Sequence, residues 1–174
     1  FPAKLGEKTP DIPWRSFQTA LPTIEQIRTW AKRQTNVAIC TGAVSGIIVL
    51  DLDSADAVQE AERLGLPHTV SVRTAKGQHL YFRHGADIRG DGGYVIAAGS
   101  IHPNGARYEW INSPVDTPFA ECPHWLLQML AASGKTNSYT HKTREEASFS
   151  QTGFANAHWQ ASIETELLAL RQTP

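Results

Sequence analysis

Apolar positions along the chain fall into short runs, and their spacing changes from one stretch to the next. Residues 1–22 are broken by Pro2, Pro10, Pro13 and Pro22 and predict an extended segment lying on a core, with Trp14 and Phe17 as anchors. Ile24, Ile27 and Trp30 with Ala31 recur at helical spacing. They follow Thr23-Ile24-Glu25-Gln26, a capping box with Gln in its last place. Val37-Ala38-Ile39-Cys40 is a short apolar strand that stops at Thr41-Gly42. Gly46-Ile47-Ile48-Val49-Leu50-Asp51-Leu52-Asp53 is a second strand, β-branched and without polar alternation, as in strands covered on both faces. Ser54 caps a helix through about Leu64, stopped by Gly65 and Pro67.

Short strands then follow in quick succession: Thr69–Val72, His79–Phe82, Tyr94–Ala98 and Arg107–Ile111. Gly-rich turns separate them, notably Gly90-Asp91-Gly92-Gly93 and Pro103-Asn104-Gly105. Pro123 opens a helix carrying Trp125, Leu126, Met129 and Leu130. Residues 133–153 hold Ser, Thr, Lys, Asn and Gly with almost no aliphatics, the composition of a linker. A last helix over about 155–170 puts Trp159, Ile163, Leu167 and Leu170 on one face. The expected division is therefore a main domain over 1–132, a linker over 133–153, and a helical appendage or the start of a following domain over 154–174.

Composition narrows this picture. The 174 residues are 41% hydrophobic and 19% charged, which is globular and excludes coiled coil, collagen and wholesale disorder. A net charge of −1 supplies no global pull toward nucleic acid, so such binding must come from a local patch. Cys40 and Cys122 stand alone, without the paired spacing of a zinc site, and favour a reducing compartment. The longest apolar run, around Gly46–Leu50, is far short of a membrane span.

Four features carry candidate chemistry. In Asp51-Leu52-Asp53, residues i and i+2 of a strand share a face, so both carboxylates project together at its carboxyl end. Like charges about 5–7 Å apart repel unless a cation sits between them, and hard divalent ions favour such oxygen ligands. The plainer alternative is a strand ending in a solvated loop, with Asp53 leading into the next helix. The second feature is Arg73-Thr74-Ala75-Lys76-Gly77-Gln78-His79-Leu80-Tyr81-Phe82. A basic turn can offer backbone N–H groups, Arg73 and Lys76 to a polyphosphate, with His79 aimed at the same anion. Leu80 and Phe82 share one strand face, His79 and Tyr81 the other; a structural histidine at a strand start is the alternative. The third, Asp87-Ile88-Arg89-Gly90-Asp91-Gly92-Gly93-Tyr94-Val95-Ile96, supplies a further acid, or else a charged turn. The fourth, Gly99-Ser100-Ile101-His102-Pro103-Asn104-Gly105, sets a hydroxyl and an imidazole on the following loop, which also fits a plain turn.

In combination their order is more telling: His79 stands 26 residues after Asp53, Asp87 a further 8 residues on, and then Gly92-Gly93-Tyr94-Val95-Ile96 and the Ser/His loop follow. This order resembles the archaeo-eukaryotic primase superfamily, and within it the bifunctional primase-polymerase domains of plasmid, phage and integrated-element replication proteins. Val49-Leu50-Asp51-Leu52-Asp53 is similar to that family's first motif, Gly77-Gln78-His79-Leu80-Tyr81-Phe82 to its histidine motif, and Asp87 through Ile96 to its third. Lys8-Thr9-Pro10 with Trp14, Asn36-Val37-Ala38-Ile39 with Thr41-Gly42, and Ser100 through Tyr108-Glu109-Trp110 resemble further family features. The likeness covers roughly residues 1–130. Ala98-Gly99 stands where the family commonly has two prolines, Arg83-His84-Gly85-Ala86 is a short connection to Asp87, and the start at Phe1 reads as a truncated amino terminus.

The resemblance implies an α+β fold, with an RRM-like antiparallel or mixed sheet packed with an α/β unit and the active site in the cleft between them. It implies that 1–132 is a catalytic domain, a nucleotidyltransferase acting as DNA-directed DNA polymerase or primase. Asp51, Asp53 and Asp87 would hold two Mg²⁺ or Mn²⁺ ions, with Asp91 in reserve as the third acid. His79 would contact the triphosphate, and Arg73, Thr74, Lys76, Ser100 and His102 would line the nucleotide site. DNA template and primer, dNTPs or NTPs, and a fused or associated helicase are the implied partners, in the cytoplasm and away from membranes. Two other readings stay open: a metal-dependent nuclease using the same acids, and a catalytically inactive RRM-like nucleic-acid-binding module.

Overall fold

A computed structural model of the chain describes residues 1–85 and 93–132. The stretch with Asp87 and Asp91, the linker expected over 133–153 and the final helix expected near 155–170 lie outside the described residues. Two sheets and a helical layer build the described part. Strand β1 (Pro2–Ala3), β2 (Asn36–Cys40) and β6 (Tyr94–Ile96) form an antiparallel sheet in the order β1-β2-β6. The larger sheet has β3 (Ile47–Leu52), β5 (Gln78–Arg83), β4 (Ser71–Arg73) and β7 (Glu109–Asn112) in the order β3-β5-β4-β7, all antiparallel. Strand β8 (Ala120–Glu121) joins β5 in parallel. The helices are α1 (Ile24–Trp30), α2 (Ala55–Arg63) and α3 (His124–Ala132). No helix among the described residues is long and apolar enough to cross a membrane.

β3 is apolar from Ile47 to Leu50 and again at Leu52 because it faces two cores. Ile47 and Val49 turn toward the small sheet and meet Ala3, Ala38 and Ile96, together with Val70, Val72, Tyr81 and Tyr108. Ile48, Leu50 and Leu52 turn the other way, onto Ala57 and Ala61 of α2, Leu126 of α3, and Phe82. Leu52 and Phe82 are essentially sealed from solvent. Burial of such a side chain contributes about 1.5–3 kcal/mol, so β3 is anchored from both sides and its carboxyl end is a rigid support.

Local signals hold at the caps. The Thr23 hydroxyl accepts from Gln26 N at 3.2 Å and the Gln26 side chain accepts from Thr23 N at 2.8 Å, closing the capping box. Ser54 Oγ accepts from Ala57 N at 3.1 Å at the start of α2. Helix α1 forms as its spacing predicts; Trp30 at its end packs on Phe17 with ring centroids 5.4 Å apart, while Ile24 and Ile27 stay exposed. The amino-terminal segment does lie on a core through buried Trp14, whose ring sits 4.7 Å from that of Tyr94. It also contributes β1, a two-residue strand that the prolines obscure in the sequence; Pro is tolerated at the first position of a strand. The strand expected from Thr69 begins at Ser71. The Thr69 hydroxyl instead donates to the Tyr81 carbonyl and accepts from Ala120 N at 3.1 Å, joining β5 to β8.

The β4–β5 turn is shaped by two residues. Thr74 Oγ1 accepts from Lys76 N and Gly77 N, at 3.3 and 3.0 Å. Gly77 lets this turn press against the end of β3: a Cβ placed there would stand 1.8 Å from the Leu52 carbonyl oxygen. Backbone cannot yield as a flexible side chain does. Gly77→Ala is therefore expected to lower stability by about 1–3 kcal/mol, read as a reduced midpoint in urea unfolding with an unchanged slope.

Candidate active site

The site starts from the pleat and the register. Asp51 lies directly opposite His79 across the β3–β5 ladder, and Val49 lies opposite Tyr81. Opposed residues share a face, so Asp51, His79 and Tyr81 stand together on the side of the large sheet that turns toward the small one. His79 Nε2 is 3.4 Å from Asp51 Oδ1. The imidazole is 6% exposed, and its Nδ1 has no hydrogen-bond partner among the described residues. Its ring lies 6.3 Å from Tyr81 and 5.9 Å from Tyr108, between centroids, and Tyr108 continues to His102 at 6.0 Å.

Asp53 follows one residue beyond β3, just before the Ser54 cap. Its carboxyl is held above the usual carboxylate range, first by burial and then by the charge of Asp51; Lys8, Lys76 and His79 pull it back in part. The same anionic field reaches the phenols. Tyr108 is pushed up to about 12 by burial, then by Asp51 and Asp53. Tyr81 is raised by burial, then by Asp51 and Tyr108, and its buried hydroxyl has no hydrogen-bond partner among the described residues. Two carboxylates that repel each other in a half-desolvated place constitute an environment that a hard cation relieves.

The remaining expected residues separate. Lys76 is exposed on the β4–β5 turn, within electrostatic reach of Asp53. The backbone N–H groups of Lys76 and Gly77 are turned onto the Thr74 hydroxyl, so this turn is closed on itself. Arg73 pairs with Gln78, which pairs with Leu52, so the alternation puts Arg73 on the face opposite His79. Ser100 is buried, and its Oγ accepts from Val37 N at 3.0 Å and reaches Val37 O at 3.4 Å, clamping β2. His102 Nδ1 lies 2.7 Å from Asn104 Oδ1 in a tight turn, with its ring toward Tyr108. Asp87 and Asp91 lie outside the described residues. Among the described residues no group of three or more His, Cys, Asp or Glu is arranged to hold a metal ion.

Sequence reasoning assigned no role to Lys8 or Tyr108. Lys8 comes within electrostatic reach of Asp53 because the amino-terminal segment doubles back: Lys4 N donates to Thr9 O at 2.9 Å, and Tyr94 Oη donates to Lys8 O at 3.0 Å. Lys8-Thr9-Pro10 stands out as a motif, but its distance along the chain from Asp53 hides its position.

The raised Asp53 carboxyl has a definite consequence for stability. Its proton is held more tightly in the folded chain than in the unfolded one, so stability falls as pH rises from the unfolded value through the folded value. At neutral pH the ionised group opposes folding. Asp53→Asn is expected to be at least as stable as the native protein at pH 7 in thermal melts without added metal. That advantage should vanish below the ordinary carboxylate value of about 3.9.

A family model described as bifunctional DNA primase/polymerase, N-terminal, matches residues 1–125. No curated protein and no solved structure matches the chain.

Proposed function

This chain belongs to the bifunctional DNA primase/polymerase family, and from that premise we propose that it adds (d)NTPs to a 3′-hydroxyl on a DNA template. The observation that carries the reading is the register of β3 against β5, which sets Asp51 beside His79 with Asp53 next along the chain. In the reaction the 3′-oxygen bonds to the α-phosphorus, the bond from that phosphorus to the bridging oxygen breaks, and pyrophosphate leaves as the hydroxyl proton passes to solvent. Asp51 and Asp53, with Asp87 or Asp91 as third acid, would hold two Mg²⁺ or Mn²⁺ ions. The donor set fits: the oxygens are hard, and Asp51 and burial already disfavour charge on Asp53. When bound, such ions stabilise negative charge on the attacking oxygen and on the departing pyrophosphate.

The chain's own groups have separate tasks. His79 Nε2 stands 3.4 Å from Asp51 Oδ1, while its Nδ1 is buried without a hydrogen-bond partner among the described residues, so contact with a phosphate oxygen would require the imidazole to turn toward solvent. Lys8 and Lys76 bring positive charge beside the acids, where a triphosphate needs it. Tyr81 and Tyr108 stay protonated across the physiological range and wall the imidazole without adding charge. Ser100 serves through β2 and Thr74 through the turn, His102 borders the nucleotide from further out, and Arg73, turned to the back face, drops out of the nucleotide site. With a net charge of −1, much of the grip on DNA would fall to an associated helicase, in the setting of a plasmid, phage or mobile-element replication protein.

Primer extension tests this reading. With Mn²⁺ or Mg²⁺ and dNTPs the native chain should lengthen a labelled primer on a template, and chelation should stop it. Asp53→Ala should lose on the order of 10³-fold or more in rate, the equivalent of about 4 kcal/mol of barrier, with its thermal unfolding intact. Shortening of the primer would assign a nuclease. Undiminished incorporation by the folded variant would remove Asp53 from the site.

A further inference from the structure

We propose that Trp110 is a stacking platform for a base of the DNA strand, set in the same cross-strand row as the acids; the inference rests on the reading above for the presence of that strand. The register draws the row directly: Asp51 opposite His79, His79 opposite Val72, and Val72 opposite Trp110. Trp110 therefore shares the face of Asp51 and His79, on the outer strand of the sheet. Its indole ring lies 6.2 Å from that of Tyr81 and is 42% exposed.

A single exposed aromatic is ordinary on a protein surface. What distinguishes this one is how the sheet aims it. The β4–β7 register shifts between Ser71 and Val72, leaving Ile111 as the extra residue. Asn112 is locked to Ser71, its Nδ2 donating to Ser71 Oγ at 2.8 Å. Such an irregularity turns a side chain relative to its neighbours. Here it holds Trp110 opposite Val72, against buried Tyr81, and open to solvent on its other side. A rigid, half-open indole on a sheet stacks any base, because every base has a π-face.

The distance selects the occupant. Trp110 lies three strand spacings from Asp51, about 14 Å at about 4.8 Å per spacing. A nucleotide whose reacting α-phosphate is held at Asp51 carries its base only one ribose away from that phosphate, short of Trp110, whereas a base further along a strand reaches it. The occupant is thus a base of a DNA strand crossing the sheet, not the base of the incoming triphosphate.

The test uses binding, not turnover. Trp110→Ala and Trp110→Phe are compared with the native chain by fluorescence anisotropy of a labelled single-stranded oligodeoxynucleotide, without nucleotide. Trp110→Ala should weaken binding roughly tenfold and Trp110→Phe should recover most of the loss. An oligomer carrying an abasic stretch should bind the native and Ala chains alike, and dNTP affinity in Mn²⁺ should not change. The proposal is overturned if Trp110→Ala binds the oligonucleotide as the native chain does, or if the abasic oligomer shows the same loss. It is also overturned if dNTP affinity falls instead, or if the native chain binds no oligonucleotide. A chain that binds through Trp110 yet never extends a primer would sink the polymerase reading and leave this one standing.

Discussion

Two carboxylates at the end of a strand that is buried on both faces set the terms for everything around them. Asp51 cannot move far, because β3 is gripped from one side by α2 and α3 and from the other by the small sheet. Asp53 follows within one turn of chain, and burial together with its neighbour's charge holds its proton tightly. The field extends to two phenols, Tyr81 and Tyr108, which both resist ionisation. A fold selected for stability alone would separate such charges or pair them directly. Lys8, Lys76 and His79 compensate only in part, which leaves an electrostatic demand suited to cations and to the phosphates they accompany.

The rest of the architecture divides labour between the two faces of one sheet. The back of β3 and β5 carries Leu50, Leu52, Leu80 and Phe82 into the helical layer. The front carries Asp51, His79 and Tyr81. Because the pleat alternates strictly, packing and chemistry occupy the same strands without competing for positions. Gly77 belongs to this arrangement although it carries no side chain: only its bare Cα lets the β4–β5 turn lie on the Leu52 carbonyl and bring Lys76 to the acids.

Much of this is visible in the residues themselves. The closeness of Asp51 and Asp53 at the end of β3, the common side of His79 and Tyr81, the capping box at Thr23, the Ser54 cap and the stop at Gly65 all depend on a few neighbouring residues. Other features are not visible there. Arg73 and Lys76 sit three residues apart and look like one basic cluster, yet the β4 register turns Arg73 to the back face while the turn carries Lys76 to the front. Ser100 looks like a free hydroxyl on a loop, but β2 runs beside it and takes up its hydrogen bonds. Proline punctuation conceals β1, and the helical spacing of Ile24 and Ile27 suggests burial where the described fold leaves both exposed.

Sequence alone determined the local elements, the two acids at the end of β3, and the order of motifs that resembles the primase-polymerases, a kinship the family match bears out over residues 1–125. Those properties are set by rotation per residue and by caps and turns, which act over a handful of positions. Tertiary structure decided which residues come together: Asp51 with His79, Tyr108 with the imidazole, Lys8 within electrostatic reach of Asp53, and Trp110 in their row. A shift of one residue in the β3–β5 ladder would take Asp51 off His79 and set it opposite a residue of the other face. The packing of both cores at once holds the register, and no short stretch of the chain contains that information.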